Sequence, residues 1–177
     1  MFKYLWSAAY IFAVVSANFT AKLLFPMPDW SPIELSVGTF LFGVVFSLRD
    51  RVHCNGYRWA WGTVIVAALT NLILSWFGAI PVSIVIASFL AILISEGIDT
   101  EIFQRSRLSW LGKVYASNAV SVPVDSVLFV SIAFLVPGIM PIDTGLRLML
   151  GQTLTKYAIA AVTGLGLVKT LRGARNA

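Results

Sequence analysis

The chain has 177 residues, of which 58% are hydrophobic and only 12% charged, with a mean hydropathy of +0.85. Soluble domains carry about 25% charged residues, so this composition excludes an ordinary soluble domain and points to an integral membrane protein. The net charge of +5 does not indicate nucleic acid, because the cations are spread over several short segments instead of being gathered on one face.

Taken in chain order, apolar stretches at approximately 4–25, 31–48, 59–77, 82–103, 110–136 and 146–168 are each long enough to cross a hydrocarbon core of about 30 Å as a helix. Lipid-facing backbone must satisfy its own hydrogen bonds, and the stretches lack the period-two alternation of a barrel. The predicted fold class is therefore all-α: a polytopic membrane protein with six transmembrane helices in one domain, 1–177. Short breaker-rich connections support that count, at Pro26-Met27-Pro28, Asn55-Gly56, Gly78 to Pro81 and Pro137 to Pro141.

Orientation follows from the cations. Lys3, Arg49, Arg51, Arg58, Arg105, Arg107, Lys113, Lys169, Arg172 and Arg175 occupy alternate connections and the two ends, ten of the thirteen Lys and Arg, so both termini are expected in the cytoplasm. Arg147 alone is expected at the outer mouth of the last span. Lys3, the apolar run behind it and Val15-Ser16-Ala17 also resemble a signal peptide, but removing that run would leave five spans and break the alternation of basic loops. The single cysteine, Cys54, lies beside the single histidine, His53, in an expected cytoplasmic loop, which predicts neither an internal disulfide nor a metal site.

Polar residues within the spans carry the functional signal, since an ionisable group at membrane depth is costly and usually functional. Lys22, late in the first span, and Glu34, early in the second, are expected near the outer face, as a structural ion pair or with the lysine snorkelling to the surface. Glu96 and Asp99 are three apart and share one face of the fourth span. Asn118 and Asp125, seven apart, share a face of the fifth, and Lys156 lies near the middle of the sixth with Gln152 one turn away. Asp125 and Lys156 are expected to meet near the midplane. Carboxylates, a lysine and amides gathered in low dielectric must face one another or a wet cavity, so the cluster is read as a ligand or ion site, with a purely structural network as its alternative. Phe129 and Tyr157 are the aromatic candidates for stacking on a ligand. Small residues such as Ala87, Ser88, Ala91, Gly151, Ala158, Ala161 and Gly164 are expected to let helices approach closely.

Ser16-Ala17-Asn18 with Lys22, Arg49-Asp50, Ala87-Ser88 leading to Glu96 and Asp99, Asp125-Ser126 with Phe129 and Ile132-Ala133-Phe134, and finally Lys156 together resemble the VUT family of queuosine precursor transporters. Gly43-Val44 and Cys54 stand where members often carry a proline and an acidic residue, and Val122-Pro123 replaces more polar residues before Asp125. The resemblance implies a six-helix carrier in the bacterial cytoplasmic membrane that imports 7-deazaguanines such as preQ0 and preQ1 for tRNA modification. It also implies a substrate site including Asn18, Glu96, Asp99, Asp125 and Lys156, to which the depth argument adds Asn118 and Gln152.

The chemistry of a 7-deazaguanine fits such a cluster. Its two adjacent N–H donors suit a carboxylate, Glu96 or Asp125, and its carbonyl suits an amide from Asn118, Gln152 or Asn18. The expected partners are thus a purine-like small molecule and the lipid bilayer, without nucleic acid or cofactor. A homo-oligomer and a separate energising module both remain open, because no G-x-x-x-x-G-K-[ST] motif is present. The alternative functions are a vitamin-binding membrane subunit energised by a separate ATPase, and a non-transport structural membrane protein. Enzymatic activity is not expected, since G-x-S-x-G, H-E-x-x-H and any Ser/His pairing within the spans are missing.

Overall fold

A computed structural model of the chain describes the backbone of residues 2–53 and 55–175 and most side chains as far as 162; Cys54 and the side chains of Lys3, Arg49, Arg51, His53, Lys169, Arg172 and Arg175 lie outside what is described. The described residues form six α-helices and no strand: α1 (Phe2–Thr20), α2 (Val37–His53), α3 (Tyr57–Trp76), α4 (Val82–Arg105), α5 (Trp110–Val130) and α6 (Ile142–Arg175). A π-helical turn, Ser131–Leu135, extends α5. Within α3, α4 and α5 with its extension, the segments Arg58–Trp76, Val82–Asp99 and Tyr115–Leu135 are long and apolar enough to cross a membrane.

The helices pack as a closed ring in the order α1, α2, α6, α5, α4, α3, with α3 returning to α1. Helices α1 and α2 approach closely. A Cβ added at Gly38 would stand 2.5 Å from the Ala17 carbonyl oxygen and 2.9 Å from the Ala21 Cα, both backbone atoms that cannot swing aside. Ala17 and Ala21 are themselves buried and small, which permits the approach. Gly38→Ala should therefore lower stability by about 2 kcal/mol, within the range for overpacking, read as a fall in the thermal midpoint of the detergent-solubilised chain.

The third to fifth predicted spans agree with the helices to within two residues, whereas the first two do not. The first helix stops at Thr20 instead of running to 25, and the second begins at Val37 instead of 31. Pro26, Pro28 and Pro32 explain the difference: the ring fixes φ and removes the N–H that a helix would need. Residues 21–36 instead fold back on themselves, Phe25 N–H donating to the Leu35 carbonyl at 2.8 Å and Val37 N–H to the Leu23 carbonyl at 2.8 Å. Glu34 thus lies in a non-helical segment, and its carboxylate faces Arg147 at 3.7 Å, not Lys22 as the sequence suggested. Arg147 also faces Asp143, one turn earlier, at 3.8 Å, so it ties the segment to the start of α6. The last helix begins four residues earlier than expected and continues through Arg175.

Of the small residues expected at helix contacts, Ala87, Ser88 and Ala91 are buried. Ala158 is exposed on this molecule, and the surroundings of Gly164 lie outside the described residues. Exposed Trp76 is the last residue of α3, where interfacial aromatics are favoured, whereas exposed Trp30, expected at the end of a span, lies within the non-helical segment 21–36.

Candidate functional site

Pro123 gives α5 an irregularity that α6 answers. With no N–H at Pro123, the Ala119 carbonyl four residues earlier loses its intrahelical partner, and the Tyr157 hydroxyl of α6 donates to it at 2.7 Å. This bond helps fix the α5–α6 register that brings Asp125 opposite Lys156. Tyr157→Phe should lower stability by about 1 kcal/mol through the orphaned carbonyl. In a Pro123→Ala background the same substitution should have almost no effect on the thermal midpoint, because the restored N–H occupies the carbonyl.

Lys156 and Asp125 form the centre of the site. The ammonium Nζ lies 2.7 Å from Asp125 Oδ2, with the two side chains 1% and 3% exposed. The same ammonium donates to Ser126 Oγ at 3.1 Å and to Gln152 Oε1 at 3.2 Å. An ammonium has three N–H groups, and all three are used. Ser95 of α4 donates to the other oxygen of Asp125, Oδ1, at 3.3 Å. The Phe42 ring of α2 lies 5.5 Å from Nζ, within reach of a cation–π contact. Phe129 packs on Phe42 at 5.6 Å and Phe134 on Phe129 at 6.0 Å, so an aromatic column backs the pair.

The centre therefore draws on four helices, α2, α4, α5 and α6. Along the axis, Lys156 lies about 21 Å from the first residue of α6 and Asp125 about 22 Å from the first of α5, at 1.5 Å per residue. Removing two charges from water costs several kcal/mol per ion, which only close pairing and further hydrogen bonds offset. Both are present here.

A second polar contact continues along the α4–α5 seam, where Ser121 donates to Asp99 Oδ1 at 3.3 Å. Ser95 and Asp99 are one turn apart on α4, as are Ser121 and Asp125 on α5, so antiparallel packing repeats a serine–carboxylate contact with the donor switching helix. Asp99 thus belongs to the seam, while Glu101 and Arg105 pair with each other at the exposed end of α4. Glu96 is buried at 6% and has partners of its own.

The structure brings together Asp125, Lys156 and Gln152 as the spacing suggested, and links Asp99 to the same seam. Asn118 is half-buried on α5 and does not hydrogen-bond to the pair. Asn18 stands elsewhere: with Asn71 of α3 and Ser88 of α4 it lines a cavity of about 10 Å³ between α1, α3 and α4, whose other walls are mainly apolar. Among the described residues, Asn18 Oδ1 and Asn71 Oδ1 are buried without a hydrogen-bond partner. Each such acceptor costs about 1–3 kcal/mol. Of the aromatic candidates, Phe129 joins the column behind Phe42, and Tyr157 is committed to Ala119.

Sequence reasoning missed Ser95, Ser121, Phe42 and Asn71, and gave Ser126 no role beyond its place in the Asp125-Ser126 motif. The i, i+4 spacings Ser95/Asp99 and Ser121/Asp125 were a legible signal for the seam, and Asn71 inside an apolar span was one for the cavity. Phe42 had none, because nothing in the order of residues says which aromatic of α2 faces α6.

A ring of apolar helices around a buried, hydrogen-bonded ion pair defines a helical membrane protein with a buried polar centre. Residues 36–168 match the family model of the putative vitamin uptake transporters, and because the match spans most of the chain and includes all of α4 and α5, the protein belongs to this VUT family of uptake transporters. No curated protein and no solved structure matches the chain.

Proposed function

We propose that the protein imports a queuosine precursor, a 7-deazaguanine such as preQ0 or preQ1, across the bacterial cytoplasmic membrane, with all six helices spanning the bilayer and both termini in the cytoplasm. The observation that carries this reading is the 2.7 Å Lys156–Asp125 pair, 1% and 3% exposed, closed by Ser95, Ser126 and Gln152 within a family of uptake transporters. A pair this deep is stable while closed and expensive to leave half-made. It therefore suits a carrier whose centre opens only when a substrate supplies replacement hydrogen bonds. Asp125, Lys156 and Gln152 are the residues proposed to meet substrate, together with Asp99 of the α4–α5 seam, Glu96 and Asn118. No nucleic acid or cofactor enters the proposal.

The test uses cells unable to make or import 7-deazaguanines, supplied with preQ0 or preQ1, with queuosine in tRNA as the readout. The intact chain should restore queuosine, and Asp125→Ala at matched membrane abundance should not. No restoration by the well-expressed intact chain would sink the substrate assignment. The family description favours one other substrate class, a vitamin, and the corresponding alternative is a vitamin-binding membrane subunit energised by a separate ATPase. Copurification of ATPase subunits with the tagged chain would select it.

A further inference from the structure

The Lys156 centre has little free hydrogen-bonding capacity, since all three ammonium protons are committed and each Asp125 oxygen has a partner. Free capacity lies instead at the cavity between α1, α3 and α4, where Asn18 and Asn71 are each 1% exposed. The orientation of the Asn71 amide is fixed, because its Nδ2 donates to the Ala67 carbonyl at 2.9 Å and leaves Oδ1 as the acceptor without a partner. Asn18 Oδ1, on α1, is likewise buried without a hydrogen-bond partner among the described residues. Two bare acceptors in a mainly apolar cavity call for a ligand with N–H donors on a flat apolar body, and the aromatic side chains of Tyr10 and Phe89 are among those lining it.

We infer that Asn18 and Asn71 form a substrate subsite, separate from the Asp125–Lys156 pair, that accepts hydrogen bonds from the N–H donor edge of a planar heterocycle. The inference rests on the proposed uptake of a 7-deazaguanine, whose ring N–H and exocyclic amine supply such an edge. It moves recognition of that edge from the carboxylates to the amides. One stripe of α4 connects the two places. Ser88 and Ile92 line the cavity, Ser95 holds Asp125, and Asp99 follows one turn later, so a base leaving the amides travels along a single helix face to reach the ion pair. At about 10 Å³ the cavity has room for one water. A bicyclic base is admitted only when α3 moves away from α1 and α4, and the described conformation is the closed one.

The experiment measures binding of preQ0, and of its analogue lacking the exocyclic amine, to the purified full chain in detergent, for the intact protein, Asn18→Leu and Asn71→Leu. The intact chain should bind preQ0 at least tenfold more tightly than the analogue. Each substitution should weaken preQ0 at least tenfold and bring the two compounds to similar affinity, while the thermal midpoint holds or rises because a bare buried acceptor has been removed. Asn71→Ala, which removes the amide without adding bulk, repeats the test should leucine overfill the cavity. Retention of the intact preference in the substituted chains would overturn the amide subsite and leave the uptake proposal standing. Lost affinity accompanied by a lowered midpoint in both the leucine and alanine variants would also overturn it, by showing the amides to be structural. Failure of the intact chain to bind either compound would overturn the substrate assignment and the subsite with it.

Discussion

Lys156→Met is expected to abolish uptake and to lower stability by about 3–5 kcal/mol, the range for removing one partner of a buried ion pair. The loss comes mainly from what remains. Asp125 would keep only the neutral Ser95 bond at 3.3 Å to offset a carboxylate 3% exposed, and Gln152 Oε1 and Ser126 Oγ would each lose a charged donor. Combining Lys156→Met with Asp125→Leu should recover most of the thermal midpoint, because two apolar residues of similar volume replace two charges. Uptake should stay at background in the double variant. Recovery of uptake together with stability would mean that the pair holds the helices in register and takes no part in transport. The two single variants and the double form a thermodynamic cycle, in which a coupling well above 1 kcal/mol is expected for groups in direct contact.

Gly151→Ala is expected to cost about 3 kcal/mol and to release the segment before α2 from α6. A methyl at Gly151 would overlap the Glu34 carbonyl oxygen, a backbone atom with no rotamer to change. Relief requires the segment to rise, which breaks the hydrogen bond from Glu34 N–H to the Arg147 carbonyl at 3.1 Å and stretches the Glu34–Arg147 pair. The cost should reach the upper end of the overpacking range, since main chain has to move instead of side chain. In a Cys54→Ser background, a cysteine placed at Ile33 should react with a membrane-impermeant thiol reagent markedly faster when Gly151→Ala is present. Unchanged labelling would show that the segment tolerates the methyl without leaving α6. The comparison also tests orientation, because the impermeant reagent reaches this segment from outside only if it lies on the extracellular side.

The helical class and the Asp125–Lys156 centre were legible in the sequence for the same reason. Lipid forces backbone hydrogen bonds inside each segment and makes charge expensive, so long apolar runs and their rare ionisable residues stand out without knowledge of any contact. Helix periodicity then carried Gln152 to the face of Lys156, four residues away, and their 3.2 Å hydrogen bond agrees with it. Hydropathy was a poor guide between Lys22 and Ser36, where Pro26 and Pro28 marked a break but the apolar average concealed Pro32 and the length of a folded-back segment held by Leu23, Phe25, Leu35 and Val37.

By itself, then, the order of residues determined an apolar helical chain, the family it resembles and the pairing of Asp125 with Lys156, since each depends on local composition, spacing or motif. Only the tertiary structure decided that Arg147, and not Lys22, partners Glu34; that Phe42 lies beside Lys156; and that Asn18 faces a cavity shared with Asn71 instead of joining the ion pair. Those outcomes depend on the ring order α1, α2, α6, α5, α4, α3 and on how far each helix is rotated about its axis. Both are set by side-chain packing between residues distant in sequence, such as Gly38 against Ala17 and Tyr157 against Ala119, and periodicity along one helix carries no information about which neighbour its face will meet.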